Sequence, residues 1–203
     1  PEGVPISAIL FGGRRRRVAP LVYESLDWAH GVLVGASVGS ETTAAMVGEV
    51  GKIRRDPMAM KPFCGYNFGE YCRHWLTFPE KADKLPRIFH VNWFRRDDDG
   101  NFLWPGFGEN LRVLRWIVDR IEGRAEAKET PIGFLPHSDD IDTTGLEISD
   151  DVMETLTSVD IEHWYTEMDH FGTYLDDFEG HVPDRLREQQ QRVVKALQLA
   201  KAS

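Results

Sequence analysis

Apolar positions along this chain come in short blocks divided by glycine and proline. Residues 6–11 form an apolar run ending in Gly12-Gly13, which predicts a buried strand feeding a tight loop. Residues 21–24 predict a second strand. Asp27 stands where a helix cap belongs, ahead of Trp28 and Val32, but Gly31 and Gly35 leave helix and strand both open there. Residues 39–51 are small, glycine-rich and poor in apolar mass, the composition of a mobile surface loop or of a plain connection. Residues 67–78 carry Phe68, Tyr71, Cys72, Trp75 and Leu76 at helical spacing, and these are expected in the core. Residues 87–93 predict a strand, and residues 109–121 a helix with Leu111, Leu114, Ile117, Val118 and Ile121 as its buried stripe. A strand over residues 132–135 precedes three helical segments, 149–157, 160–178 and 183–200. Their start signals are Ser149 or Asp150, Asp160 and Pro183. The pattern is that of one mixed α/β domain with a helical C-terminal layer.

One stretch breaks the periodicity. Residues 92–110 hold Trp93, Phe94, Phe102, Trp104 and Phe107, while Gly100, Pro105, Gly106 and Gly108 prevent a single regular element. Rings on turn residues either face a ligand or cover a sheet edge. A flat ring on a bent backbone suits a nucleobase, and stacking contributes roughly 1–3 kcal/mol per base in single-strand-binding proteins. Asn110 adds a carboxamide that both donates and accepts, as a guanine edge does. Residues 106–110 would lie at a helix N-terminus, where free N–H groups bind acceptors.

Charge changes this picture in two places. The chain has 24 Lys and Arg against 33 Asp and Glu, a net charge of −9, which argues against general nucleic-acid binding. Yet Arg14, Arg15, Arg16 and Arg17 follow Gly13 directly. Glycines that admit a ligand to the backbone and guanidinium forks that pair with phosphate oxygens suggest a polyphosphate contact, with Arg14 nearest the loop and Arg15 to Arg17 on the surface. No Lys or Arg occurs between Lys128 and Arg185, an acidic interval expected to be solvated surface.

Other chemistry is thin. Gly51-Lys52 is not a phosphate loop, since Met46 and Ile53 stand where glycine and Ser or Thr are required. Asp139, Asp140 and Asp142 match no calcium loop, and His163, His170 and His181 are too widely spaced for a zinc helix motif. His90 has no partner at ligand spacing and is expected to be a satisfied structural residue. Cys64 and Cys72 fit neither a metal clip nor a disulfide framework and are expected as reduced core residues. With no long apolar run and no leader pattern, a soluble cytoplasmic protein, or a piece of one, is expected.

The motif at residues 102–110 resembles the GTP-dependent phosphoenolpyruvate carboxykinases. The resemblance extends in order through residues 11–15, 20–24, 28–32, 40–45, 62–69 and 88–95, covering nearly the whole chain. It implies the C-terminal part of that family's nucleotide-binding domain, residues 1–203, with the substrate domain and phosphate-binding loop in a preceding segment. It implies conversion of oxaloacetate and GTP to phosphoenolpyruvate, GDP and carbon dioxide in gluconeogenesis. Mn²⁺ or Mg²⁺ would be held outside this chain, and the complete enzyme would be a monomer that takes no nucleic acid or membrane partner. The guanine pocket would be Phe94, Phe102 and Phe107 with Gly108, Glu109 and Asn110 alongside, and Arg14 would contact phosphate. A lid would include Ser40, Glu41, Thr42, Thr43, Ala44, Gly48, Gly51 and Lys52. This chain alone is expected to hold GTP without catalysing. From the residues alone, a non-catalytic module gripping a sugar or peptide, or a mere folding layer, stays open.

Overall fold

The computed structural model describes residues 3–42 and 51–202. In chain order the elements are β1 (Ala8–Gly12), β2 (Val22–Glu24), α1 (Trp28–Ala36), β3 (Gly39–Glu41), β4 (Ile53–Arg55), α2 (Phe68–Leu76), β5 (Arg87–Val91), α3 (Asn110–Ile121), β6 (Lys128–Thr130), β7 (Gly133–Leu135), α4 (Asp150–Leu156), α5 (Ile161–Tyr174) and α6 (Asp184–Ala202). A five-stranded sheet of order β1-β5-β2-β7-β6 is the centre, and β3-β4 is a separate hairpin ladder. β1 runs parallel to β5, whereas β2 is antiparallel to both β5 and β7.

The apolar run of β5 reflects burial on both faces. Successive side chains of a strand point to opposite sides, and Ile88 joins one core cluster while Phe89 joins the other. The first core gathers residues of α1, α2, α5 and α6, including Val32, Cys72, Phe171 and Leu197. The second, across the sheet, gathers α3 and α4 through Val113, Trp116, Met153 and Leu156. The result is a mixed α/β layered domain. Its C-terminal helices divide between the faces rather than forming a single layer.

Helix starts follow the sequence closely. Asp27, Asn67, Ser149 and Asp160 each accept a hydrogen bond from a first-turn backbone N–H, an arrangement typically worth about 1 kcal/mol per cap. The open question at residues 28–36 is settled as helix. Its glycines serve contact: a Cβ on Gly31 would lie 2.5 Å from Ile88 Cδ1, and one on Gly35 would lie 2.8 Å from Phe11 Cε2. Both let α1 sit close on the sheet.

Four expectations are corrected. β1 is an edge strand among the described residues, and only Phe11 within it is fully buried. The buried stripe of α3 is Val113, Trp116 and Ile117, with Leu114 and Ile121 packed at its margin, while Leu111 and Val118 are exposed. Ser40 and Glu41 lie in β3, and Thr42 and Lys52 extend the ladder by a backbone bond of 2.9 Å, so both ends of the supposed loop are ordered by pairing. Thr43, Ala44 and Gly48 lie outside the described residues. Cys72 is buried as expected, but Cys64 is only partly buried, at the margin of the first core.

Among the described residues no helix is long and apolar enough to cross a membrane.

Candidate nucleotide site

The site is assembled where β1 and β5 end side by side. Gly12 and Gly13 permit this: a Cβ on Gly12 would meet the Val91 carbonyl oxygen at 2.8 Å, and one on Gly13 would meet the Gly39 oxygen at 2.3 Å. The arginine loop is thereby pressed against the β3-β4 hairpin. It is then stitched there. The Arg14 N–H donates to Ser40 Oγ (3.1 Å), the Glu41 N–H donates to the Arg14 carbonyl (2.8 Å), and the Arg16 N–H donates to Glu41 Oε1 (2.7 Å).

Asn92, immediately after β5, clamps the same loop from the other side. Its Oδ1 accepts from the Arg15 N–H (3.2 Å) and the Phe94 N–H (3.3 Å), and its Nδ2 donates to the carbonyls of Arg15 (2.9 Å) and Ala19 (3.0 Å). This buried carboxamide holds the arginine loop and the aromatic stretch in one register. It was missed as a functional residue. The available signal was a lone amide closing an apolar strand, where buried polar groups must be fully bonded.

The aromatic stretch folds into a tight return. Arg96 and Phe102 form an antiparallel bridge, the Leu103 N–H donates to the Arg95 carbonyl, and the turn between them is fixed by the Asp97 carboxylate accepting from the Asn101 N–H (2.7 Å) and Nδ2 (3.0 Å). The five rings then divide. Trp104 is 1% exposed and belongs to the core, with Trp93 half-buried beside it. Phe102 is 51% and Phe107 95% exposed. Phe107 also has φ 51°, a left-handed conformation uncommon for a bulky residue and concentrated at functional sites.

Trp93, Phe94, Phe102, Trp104, Pro105, Gly106, Phe107 and Asn110 line a largely apolar cleft of about 320 Å³. Phe94 and Phe102 meet edge-to-face with centroids 6.2 Å apart. The Trp104 Nε1–H donates to Asn110 Oδ1 at 2.9 Å. Gly108 is open, with nothing within 4 Å of where a Cβ would be, and Glu109 is paired with Arg112 at 2.5 Å rather than turned to the cleft.

A second hollow adjoins the first through shared walls. It is lined by Arg14, Arg16, Glu41, Thr42, Phe94, Arg96 and Phe102, and the Arg96 guanidinium lies 3.9 Å from the Phe102 ring centroid. Three arginines and one glutamate line the hollow, with Arg16 paired to Glu41 at 3.3 Å, in a chain that is acidic overall. An apolar cleft joined to a cationic hollow fits a flat ring carrying a polyanion.

The other arginines of the run separate. Arg17 pairs with Asp98 at 3.0 Å on the surface. Arg15 is 7% exposed, contrary to expectation, and makes a two-pronged pair with Glu167 of α5. Arg55 of β4 also reaches Glu167, at 2.5 Å, and lies over the Phe171 ring. The interval expected to be solvated therefore contributes one fully engaged interior carboxylate. Burial opposes its ionisation, but hydrogen bonds and charge from Arg15 and Arg55 hold the Glu167 carboxyl below its ordinary value.

Against known proteins, residues 1–196 match the family model described as the phosphoenolpyruvate carboxykinase C-terminal P-loop domain. The chain is 50% identical over 198 residues to phosphoenolpyruvate carboxykinase (GTP) of Chlamydia trachomatis, covering 97% of this chain and 33% of that relative. It is 51% identical over 188 residues to the Renibacterium salmoninarum protein of the same name and 52% over 186 residues to that of Thermoplasma volcanium, covering 92% of this chain and 31% of each relative. The chain thus spans about a third of the length of the curated relatives it matches.

Proposed function

Because the chain belongs to the GTP-dependent phosphoenolpyruvate carboxykinase family, we propose that it is the guanine-nucleotide-holding part of such an enzyme. The observation that carries this reading is the junction of the aromatic cleft and the arginine hollow across Phe94 and Phe102. The base lies among Phe94, Phe102 and Phe107 beside Gly108, Glu109 and Asn110, and Arg14 pairs with the phosphates. The lid belongs to the stretch bracketed by β3 and β4, with Ser40, Glu41, Thr42, Gly51 and Lys52 at its root. The arginine loop is bonded to that root.

The complete polypeptide would convert oxaloacetate and GTP to phosphoenolpyruvate, GDP and carbon dioxide, as a cytoplasmic monomer in gluconeogenesis. Phosphoryl transfer relies on positioning and on neutralising charge spread over the transferred group. This chain contributes the positioning of the nucleotide and the Arg14 charge. Mn²⁺ or Mg²⁺ would supply further neutralisation, but among the described residues no three His, Cys, Asp or Glu side chains converge to hold it. On this reading its ligands belong to the rest of the polypeptide, and this segment alone would bind without catalysing.

The test is a tryptophan-fluorescence titration of the full-length protein with GTP and with ATP, each with Mn²⁺, because Trp93 and Trp104 line the cleft. A response to GTP at much lower concentration than to ATP is expected. Equal responses, or none, overturn the reading.

A further inference from the structure

We propose that Trp104 is a positioning residue for base selection, acting through Asn110; the inference rests on the guanine-nucleotide reading above and names what enforces it. The indole nitrogen of tryptophan carries a hydrogen and can only donate. The Trp104 Nε1–H lies 2.9 Å from Asn110 Oδ1, and with the ring 1% exposed it has no access to bulk water as an alternative acceptor. Turning the carboxamide over would set its NH₂ against the indole N–H and leave a buried donor unbonded. That disfavours the flipped state by roughly tenfold to a hundredfold.

The consequence is polarity. A free asparagine offers a ligand either its oxygen or its NH₂, whichever suits. Asn110 lines the aromatic cleft with its oxygen already committed, so the cleft receives donors from it. A purine with a 6-oxo group presents an acceptor, whereas adenine presents its N6 amino donor at the same place. The locked amide bonds the first and opposes the second. Phe94, Phe102 and Phe107 cannot make this distinction, since every base has a stacking face. Selection between purines therefore depends on a residue that itself sits in the core.

The experiment measures GTP, ITP and ATP affinities by calorimetry for the full-length protein and for W104F, which keeps an aromatic ring and removes the donor together with part of the buried indole. In the wild type, GTP and ITP should bind alike, because both carry the 6-oxo group, and ATP much more weakly. In W104F the freed amide turns to accept from adenine, so the GTP-to-ATP preference should contract by about tenfold or more, with ATP binding improved in absolute terms. A purely structural Trp104 would weaken all three nucleotides in parallel and leave the ratio unchanged, which overturns the proposal. ITP behaving like ATP also overturns it, by placing discrimination at the 2-amino group.

N110D is a second arm that does not touch the core: one oxygen keeps the Trp104 bond and the other puts an acceptor where a donor stood. Its GTP-to-ATP preference should fall by at least tenfold, and a preserved preference overturns the proposal even if W104F fails to fold. A wild type with no GTP preference sinks the guanine reading itself. A wild type with one, but variants that retain its ratio, sinks only this inference.

Discussion

Arg15 and Glu167, 152 residues apart in sequence, close a two-pronged ion pair of 3.0 and 2.8 Å in the interior. The pair ties the loop that carries Arg14 to helix α5. Arg55 of the hairpin shares the same carboxylate. Three parts of the candidate site's scaffold, the arginine loop, α5 and the β3-β4 hairpin, thus hang on one side chain. Burying charges gains little stability by itself, but removing one partner strands the others.

Glu167→Ala should therefore cost about 3–5 kcal/mol in urea unfolding, the range for breaking a buried pair. Acid dependence should change too. Glu167 has its folded pKa held below the ordinary value. Its contribution is present above the unfolded pKa of about 4.3 and is lost as pH falls through the folded one. Below about pH 4.3 the variant should lose stability less steeply than the wild type; parallel curves would contradict this.

Two histidines set a milder acid limit. Burial pushes His30 down to about 4 and His90 down to about 3, with Asp27 only partly offsetting the effect at His30. His30 Nδ1 accepts from the Leu26 N–H (3.0 Å), and His90 stacks on Tyr23 with its Nδ1 unbonded. The unfolded chain takes up these protons near pH 6.5 and the folded chain does not. Stability is therefore full above pH 6.5 and falls below it, by up to about 1.4 kcal/mol per pH unit for each histidine. His30→Asn keeps an acceptor at the Nδ1 position for the Leu26 N–H and should remove about half of that slope between about pH 6 and 4.5. An unchanged slope in urea midpoints would assign the protons elsewhere.

The contrast between these residues shows what a sequence can and cannot convey. Local signals were legible: Asp27, Ser149 and Asp160 cap helices because a cap bonds its own first turn. The apolar run that becomes β5 and the break in periodicity after it were equally local. Arg15 was not legible, because nothing near it in sequence separates it from Arg14 or Arg17; its partner lies in a distant acidic interval. The α3 stripe was misplaced for a related reason. Leu111 and Val118 fit a helical period as well as Val113 and Trp116 do, and only the sheet decides which face is inside. Half of His90's expected role held: it is buried and structural, but its Nδ1 is not satisfied.

Glycine at position 31 is a contact residue, and its replacement separates propensity from packing. Ala should favour an isolated helix by about 1 kcal/mol. Here the new Cβ would lie 2.5 Å from Ile88 Cδ1 and 2.9 Å from its Cβ, forcing α1 off the sheet at a cost typically of 1–3 kcal/mol. Gly31→Ala should lower stability by roughly 1 kcal/mol net, while Gly108→Ala, with open space around it, should leave it unchanged. A stabilised Gly31→Ala protein would mean that the helix approaches the sheet less closely than described.

Phe107 offers the cleanest separation of binding from folding. A phenylalanine that is 95% exposed and held at φ 51° contributes almost no buried area and carries backbone strain, so its presence is not explained by stability. Phe107→Ala should leave the thermal midpoint nearly unchanged. If the ring stacks on a nucleobase, the same substitution should weaken GTP binding by about 1–3 kcal/mol, roughly tenfold to a hundredfold. Phe102→Ala should behave alike but lose somewhat more stability, because Arg96 lies over that ring at 3.9 Å and such contacts contribute about 0.5–1 kcal/mol at exposed sites. Calorimetric titration beside differential scanning of each variant decides the matter. Loss of stability without loss of affinity would make these rings a cover for the sheet edge, and the aromatic cleft would cease to be the base-binding site.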